Sequence, residues 1–203
     1  MREKILSSAI EMFDQYGYAN VKMAQIAQNA GLTTGAVYYY FNSKEELLDI
    51  IAIHYIGRVA AVAEDVYLRS DLSPLEKLSH LINEHCQGVA KYKPHLSIFY
   101  QDHKHLSAPT FQKALEMNTR FLTFTTKIIQ DGIEAGMFRA DVDAKVAALG
   151  IIGMGNWVYQ WYSPKGLYKP EEIGKFFEKM VLDGLTADTA LGAAFGEKMV
   201  ANK

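Results

Sequence analysis

Cysteine is almost missing from this chain: Cys86 is the single one, so no intrachain disulfide can staple the fold. Proline is scarce as well, with five residues at 74, 94, 109, 164 and 170, each at a place where a helical pattern starts or stops. No uncharged apolar run approaches the ~20 residues that a bilayer requires. The longest, 146–157, is short and rich in glycine, and no membrane span is expected. Charge of one sign is lacking too. The formal net charge is -2, and before position 45 Arg2, Lys4, Lys22 and Lys44 face Glu3, Glu11 and Asp14. Bulk electrostatics therefore offers no sign of nucleic acid, and any such claim must rest on where particular residues stand. The sequence opens with MREKIL rather than a basic segment followed by an apolar core and a cleavage site. With a lone cysteine, this makes the cytoplasm the expected compartment.

What is present is an ordinary globular composition, 49% hydrophobic and 22% charged. The 203 residues can hold one ordinary domain, or a small one joined to a larger one. Ile5, Leu6, Ala9, Met12, Phe13 and Tyr16 recur at helical spacing, and Gly17 stands where a left-handed residue ends a helix. Met23, Ile26, Ala27 and Ala30 form a second short apolar face closed by Gly31. Thr33 is an amino-cap residue for a third short helix, in which Val37, Tyr40 and Phe41 are the inward anchors. Ser43 with Glu46 forms a capping box, and Leu47, Leu48, Ile51 and Tyr55 start a long run reaching about Leu68. Helical patterns continue from Pro74 to about Lys91, briefly after Pro94, from Pro109 to Gly136, from Asp143 to about Tyr162 and from Pro170 to about Leu185. No alternating strand pattern appears, and 186–203 reads as a frayed or weakly helical tail. The expected fold is all-α with about nine helices. Its first three form a helix-turn-helix head.

Two short helices joined by a tight turn containing glycine, 23–30 and then 33–40, match a helix-turn-helix. Its second helix enters the major groove, where each base pair displays its own donor and acceptor pattern. If Val37 and Phe41 pack inward, Thr34, Ala36 and Tyr39 project outward, and Gly35 permits close backbone approach. Thr33 and the free amides at the helix start can meet a phosphate, and Lys44, just past the Ser43 cap, can meet another.

These residues carry a resemblance. The stretch Ile26-Ala27-x-x-Ala30-Gly31-Leu32-Thr33-x-Gly35-x-Val37-Tyr38-x-Tyr40-Phe41-x-Ser43-Lys44-Glu45-x-Leu47, preceded by Gly17-Tyr18, resembles the signature of TetR-type regulators over about the first 50 residues. The resemblance implies residues 1–46 as a DNA-binding domain and 47–203 as a helical ligand-binding and dimerisation domain. It implies a homodimer on a double-stranded operator, repression by default, and a small-molecule effector that moves the two heads apart. The DNA-contacting set is then Lys22, Thr33, Thr34, Gly35, Ala36, Tyr38, Tyr39 and Lys44. One departure stands out: Val21-Lys22 replaces the usual hydroxyl pair before the second helix. Asn20 is the substitute cap, and Lys22 the substitute phosphate contact.

Ala147, Ala148, Gly150, Gly153 and Gly155 line one late helix, where each glycine costs about 1 kcal/mol relative to alanine. Close approach of another helix, in a dimer or within the chain, offsets that cost; room for a ligand is the other reading. The segment Asn156-Trp157-x-x-x-Trp161-Tyr162-Ser163-Pro164-x-Gly166 resembles a subgroup of the same family that controls fatty-acid or steroid catabolism and responds to acyl-CoA thioesters. That likeness makes Phe99, Met117, Phe121, Phe124, Asn156, Trp157 and Trp161 the effector-lining set, although an aromatic and methionine stripe also serves as plain core. No cofactor and no metal site are expected. His80, Glu84 and His85 share a helix and Asp102, His103 and His105 a loop, but their spacing does not converge on one ion. There is no phosphate loop, no Gly-x-Ser-x-Gly elbow and no Cys-x-x-Cys pair, so an enzyme is not the expected class. An architectural or division factor that binds DNA without an inducer is the competing reading.

Overall fold

The computed structural model describes residues 1–186, so the tail from 187 onward lies outside the described residues. Nine α-helices are found there: α1 (Arg2–Tyr16), α2 (Met23–Asn29), α3 (Thr34–Tyr40), α4 (Lys44–Leu68), α5 (Pro74–Lys91), α6 (Lys93–Asp102), α7 (Ala108–Glu134), α8 (Ala144–Trp161) and α9 (Pro170–Leu185). No strand occurs among the described residues; Phe138 and Thr186 form one isolated antiparallel bridge. No described helix is long and apolar enough to cross a membrane. The chain divides into two compact units, Met1–Arg58 with Tyr92–Asn118, and Val59–Lys91 with the described residues from Thr119 onward. Helices α4 and α7 contribute residues to both.

In the first unit, Ile5, Ala9 and Phe13 of α1, Ile26 and Ala27 of α2, Val37 of α3, Leu47, Leu48 and Ile51 of α4, and Ile98 of α6 share one buried core. The expected ends hold where caps form. Gly31 (φ 62°) donates its amide to Gln28, and Leu32 donates to the Ala27 carbonyl at 2.8 Å, the paired bonds of a glycine-terminated helix. Gly17 ends α1 with φ 76° and an extended ψ of 145°, a conformation that glycine alone adopts readily. Thr33 Oγ1 accepts from the Ala36 amide at 3.2 Å.

Three expectations are corrected here. Asn20 does not cap α2; its Nδ2 donates back to the Tyr16 carbonyl, and the Lys22 amide is satisfied instead by Gln25 Oε1 at 2.7 Å. The Ser43 box is half built: Ser43 Oγ accepts from the Glu46 amide, but the Glu46 carboxylate turns to the Asn42 amide and side chain. Tyr40 is not an inward anchor. It is 39% exposed and meets Tyr39 edge-to-face at 5.1 Å, because Val37 and Phe41 already fill the seat beneath α3.

In the second unit α5 is the central helix, burying Leu78, Leu81, Ile82, His85, Cys86 and Val89 and packing on both α8 and α9. A polar seam fixes its register against α9: Ser79 Oγ and Asn83 Nδ2 donate to the two oxygens of Glu178 at 2.5 and 2.7 Å. Asp143 caps α8 by accepting from the Lys145 and Val146 amides, both at 2.9 Å. Burial pushes the Cys86 thiol up to about 12, so it packs as a small apolar group and not as a nucleophile.

Candidate nucleic-acid interface and effector domain

Helix α3 presents one face to the core and the other to solvent. Val37 is fully buried, while Tyr39 is 82% exposed, Tyr38 is exposed beside it, and Gly35 has open space around its Cα. Thr34 and Ala36 are half-buried, and Lys22 is exposed at the start of α2. A tyrosine costs apolar hydration when left in water, and two adjacent ones on a short helix need a reason. The rigid three-helix core beneath them supplies the platform that a base-reading helix requires.

Lys44 is placed differently from the exposed phosphate contact expected of it. Its Nζ donates to the carbonyls of Tyr18 at 2.7 Å and Val21 at 2.8 Å, and stands 4.1 Å from the centroid of the Tyr18 ring. Burial lowers its pKa, with Asp102 pulling the other way. Two of its three protons are committed to the turn between α1 and α2, which leaves one for another acceptor. Tyr18 is the centre of this junction. Its amide donates to Asp102 Oδ2 at 3.1 Å, its ring packs on Phe13 and His105, and burial, then Glu45, Asp49 and Asp102, raise its hydroxyl pKa. A further tie joins α4 to the start of α7, where the Ser107 amide and hydroxyl donate to the Asp49 carboxylate at 3.0 and 2.5 Å.

Asp102 is the residue that sequence reading missed. In the sequence it stands out only as one possible metal ligand, yet it is buried at the end of α6 and holds a turn 84 positions away. No local pattern signals a carboxylate whose partner is a distant backbone amide. Among the described residues no three His, Cys, Asp or Glu side chains are grouped to hold a metal ion.

The residues expected to line an effector site fall in both units. Phe99 and Met117 belong to the first, and both are half-buried; Met117 packs against Gly57. In the second, Phe121 is buried and its ring lies 5.1 Å from the His85 imidazole, while Phe124 is half-buried against Tyr67. The Ile152 backbone and the Asn156 side chain lie beside His85 and favour its charged form. His85 fills the notch left by Gly155, where any Cβ would collide with the ring. So the glycine at 155 makes room for an imidazole inside the protein. Trp157 (63% exposed) and Trp161 point to solvent, and with Val146, Leu149, Gly150 and Gly153 they form a stripe along α8.

Burial lowers the His85 pKa to about 4, with the Ile152 backbone and the Asn156 side chain pulling the other way. The folded chain therefore keeps this ring neutral where the unfolded chain, titrating near 6.5, takes up a proton. Stability is unaffected above about pH 6.5 and declines as the pH falls from there towards 4, by on the order of 3 kcal/mol from this residue. Thermal melts at pH 7, 6, 5 and 4 should show this loss, and His85→Gln should flatten the slope even if it lowers the melting temperature throughout. An unchanged slope in that variant would refute the assignment.

A three-helix head with an exposed reading face, joined in one chain to a second helical unit, defines a helix-turn-helix transcriptional regulator. The chain belongs to the TetR family. Residues 5–51 match the family of bacterial regulatory proteins of the tetR type, and 71–185 match the tetracyclin repressor-like C-terminal domain. It is 28% identical over 189 residues to the HTH-type transcriptional repressor KstR2 of Mycobacterium tuberculosis, covering 92% of this chain and 94% of that protein. The solved structure of that ketosteroid regulator aligns with a TM-score of 0.84 over 92% of this chain and 95% of the other, at 26% identity. The fatty acid metabolism regulator protein of Bacillus subtilis is 24% identical over 151 residues, 74% of this chain and 77% of its own. AibR, solved with isovaleryl coenzyme A and operator DNA, shares the fold with a TM-score of 0.76 at 23% identity, over 88% of this chain and 96% of the other.

Proposed function

We propose that this protein is a homodimeric cytoplasmic repressor that leaves its operator when an elongated acyl-CoA thioester binds. Residues 1–46 read the DNA and the remainder dimerises and takes up the effector. The observation that carries the DNA-reading half is the exposed α3 face with Tyr38 and Tyr39 over a fully packed core. Tyr39 and Thr34 meet base edges, and Lys22 meets the phosphate backbone. Tyr39→Ala or Thr34→Ala should change which base is preferred at one position, by about 1–3 kcal/mol. Lys22→Ala should weaken all sequences alike and reduce the salt slope by about one unit. Fluorescence anisotropy across a panel of single-base operator variants separates the two behaviours; equal loss of specificity from all three changes would contradict the assignment.

The effector class is supported by relatives whose names tie them to ketosteroid and fatty-acid metabolism, and by a neighbour holding isovaleryl coenzyme A. Within this chain, Phe121 and Phe124 supply apolar wall. Asn156, beside His85, supplies a polar group for the thioester. Such a ligand acts only through unequal affinity for two states: a hundredfold loss of operator affinity needs about 2.7 kcal/mol of difference. Calorimetry and operator gel shifts with acyl chains of increasing length test this. Release by medium or long thioesters is expected, and binding without any effect on the operator would refute it.

Exposed apolar stripes support the dimer. In addition to the α8 stripe, Phe176 and Met180 stand exposed one turn apart on α9. Gly150, Gly153 and Gly184 have open space around them, which suits close approach of helices from a second copy.

A further inference from the structure

Lys77 and Lys127 converge on one aromatic pair in the second unit. Tyr67 ends α4 and Phe124 lies on α7, their ring centroids 5.5 Å apart. Lys127 Nζ stands 5.4 Å from the Tyr67 centroid and 5.5 Å from that of Phe124, and Lys77 Nζ stands 5.5 Å from Tyr67. Lys77 also donates to the Tyr67 carbonyl at 2.7 Å, closing the end of α4, and keeps two further protons. Neither ammonium forms an ion pair among the described residues. Glu64 is paired with Arg120 and Glu76 with Ser73, while Asp71 is bridged to Arg69 and feels the Lys77 charge only at longer range.

We propose that Lys77 and Lys127, with Tyr67 and Phe124, form the binding site for the phosphorylated nucleotide end of the coenzyme A effector. This rests on the acyl-CoA reading above. The chemistry is specific to that half of the molecule: phosphate oxygens take the free ammonium protons, and the adenine has an aromatic surface on which to stack. Phe124 belongs both to this cluster and to the apolar wall. It lies one turn along α7 from Phe121, which packs on His85, so a single helix face joins the thioester end to the nucleotide end.

The test uses the full-length protein and three probes: an acyl-CoA, the pantetheine thioester of the same acyl chain, and adenosine 3′,5′-bisphosphate. Lys127 is exposed, so Lys127→Ala and Lys127→Glu leave no cavity. The ratio of acyl-CoA to pantetheine-thioester affinity should fall about tenfold in Lys127→Ala and further in Lys127→Glu, with Lys127→Arg restoring it. The bisphosphate should bind the native protein and be lost in parallel. An unchanged ratio, or inorganic phosphate competing as well as the bisphosphate, would overturn the nucleotide site while leaving the thioester reading intact. Binding of the bisphosphate at Lys127 with no binding of either thioester would instead keep the site and sink the effector reading.

Discussion

Phe176→Glu should turn the protein into a monomer that sediments at half the native mass and binds operator about a hundredfold more weakly, a loss of about 2.7 kcal/mol. The argument begins with exposure. Phe176 is 69% exposed on α9 and faces away from the core that Ile173 and Gly174 help to build, so a glutamate there costs the folded chain little. In a dimer the same carboxylate is carried into an apolar contact and repeated by symmetry, which penalises association twice. One head reads only a few base pairs, and two linked heads act on one palindrome through a high effective concentration. Sedimentation velocity and anisotropy read the two effects. A variant that stays dimeric would move the interface away from α9.

Asp102→Ala should lower operator affinity about tenfold on every sequence without changing the preferred bases. The carboxylate accepts from the Tyr18 amide, and its removal leaves a half-buried donor unpaired, at a cost of about 1–3 kcal/mol. The turn it holds also receives two bonds from Lys44 and leads straight into the reading unit. Because the contact sets position and makes no base contact itself, all operators should suffer alike. Asp102→Asn keeps an oxygen for the amide while losing the charge beside Lys44, so it should fall between the two. Anisotropy well below the melting temperature separates this from unfolding, and an affinity equal to that of the native protein would show that the junction is not needed.

Helix order and caps were legible in the sequence because they rest on neighbours three or four positions apart. Thr33 caps α3 and Asp143 caps α8 as their spacing implies, and α4, α5 and α9 end near the expected residues. Errors arose where two local partners compete, as with Glu46 between Ser43 and Asn42, or where α3 could anchor only one aromatic beneath it and left Tyr40 outside. Long-range pairings were not legible at all. Asp102 reaching Tyr18, Lys44 turning inward, and Gly155 yielding to His85 each join residues tens of positions apart. A glycine run on α8 implied closeness to something; only the fold shows that 155 admits a side chain while 150 and 153 stay open.

The most direct test is selection of duplexes from a random pool by the full-length protein, followed by counting chains per bound duplex. Two chains on a partly palindromic sequence, with half-sites in register with the protein's two-fold axis, are predicted. Recovery of a single unpaired half-site bound by one chain, or no enrichment over non-specific binding, would contradict the account.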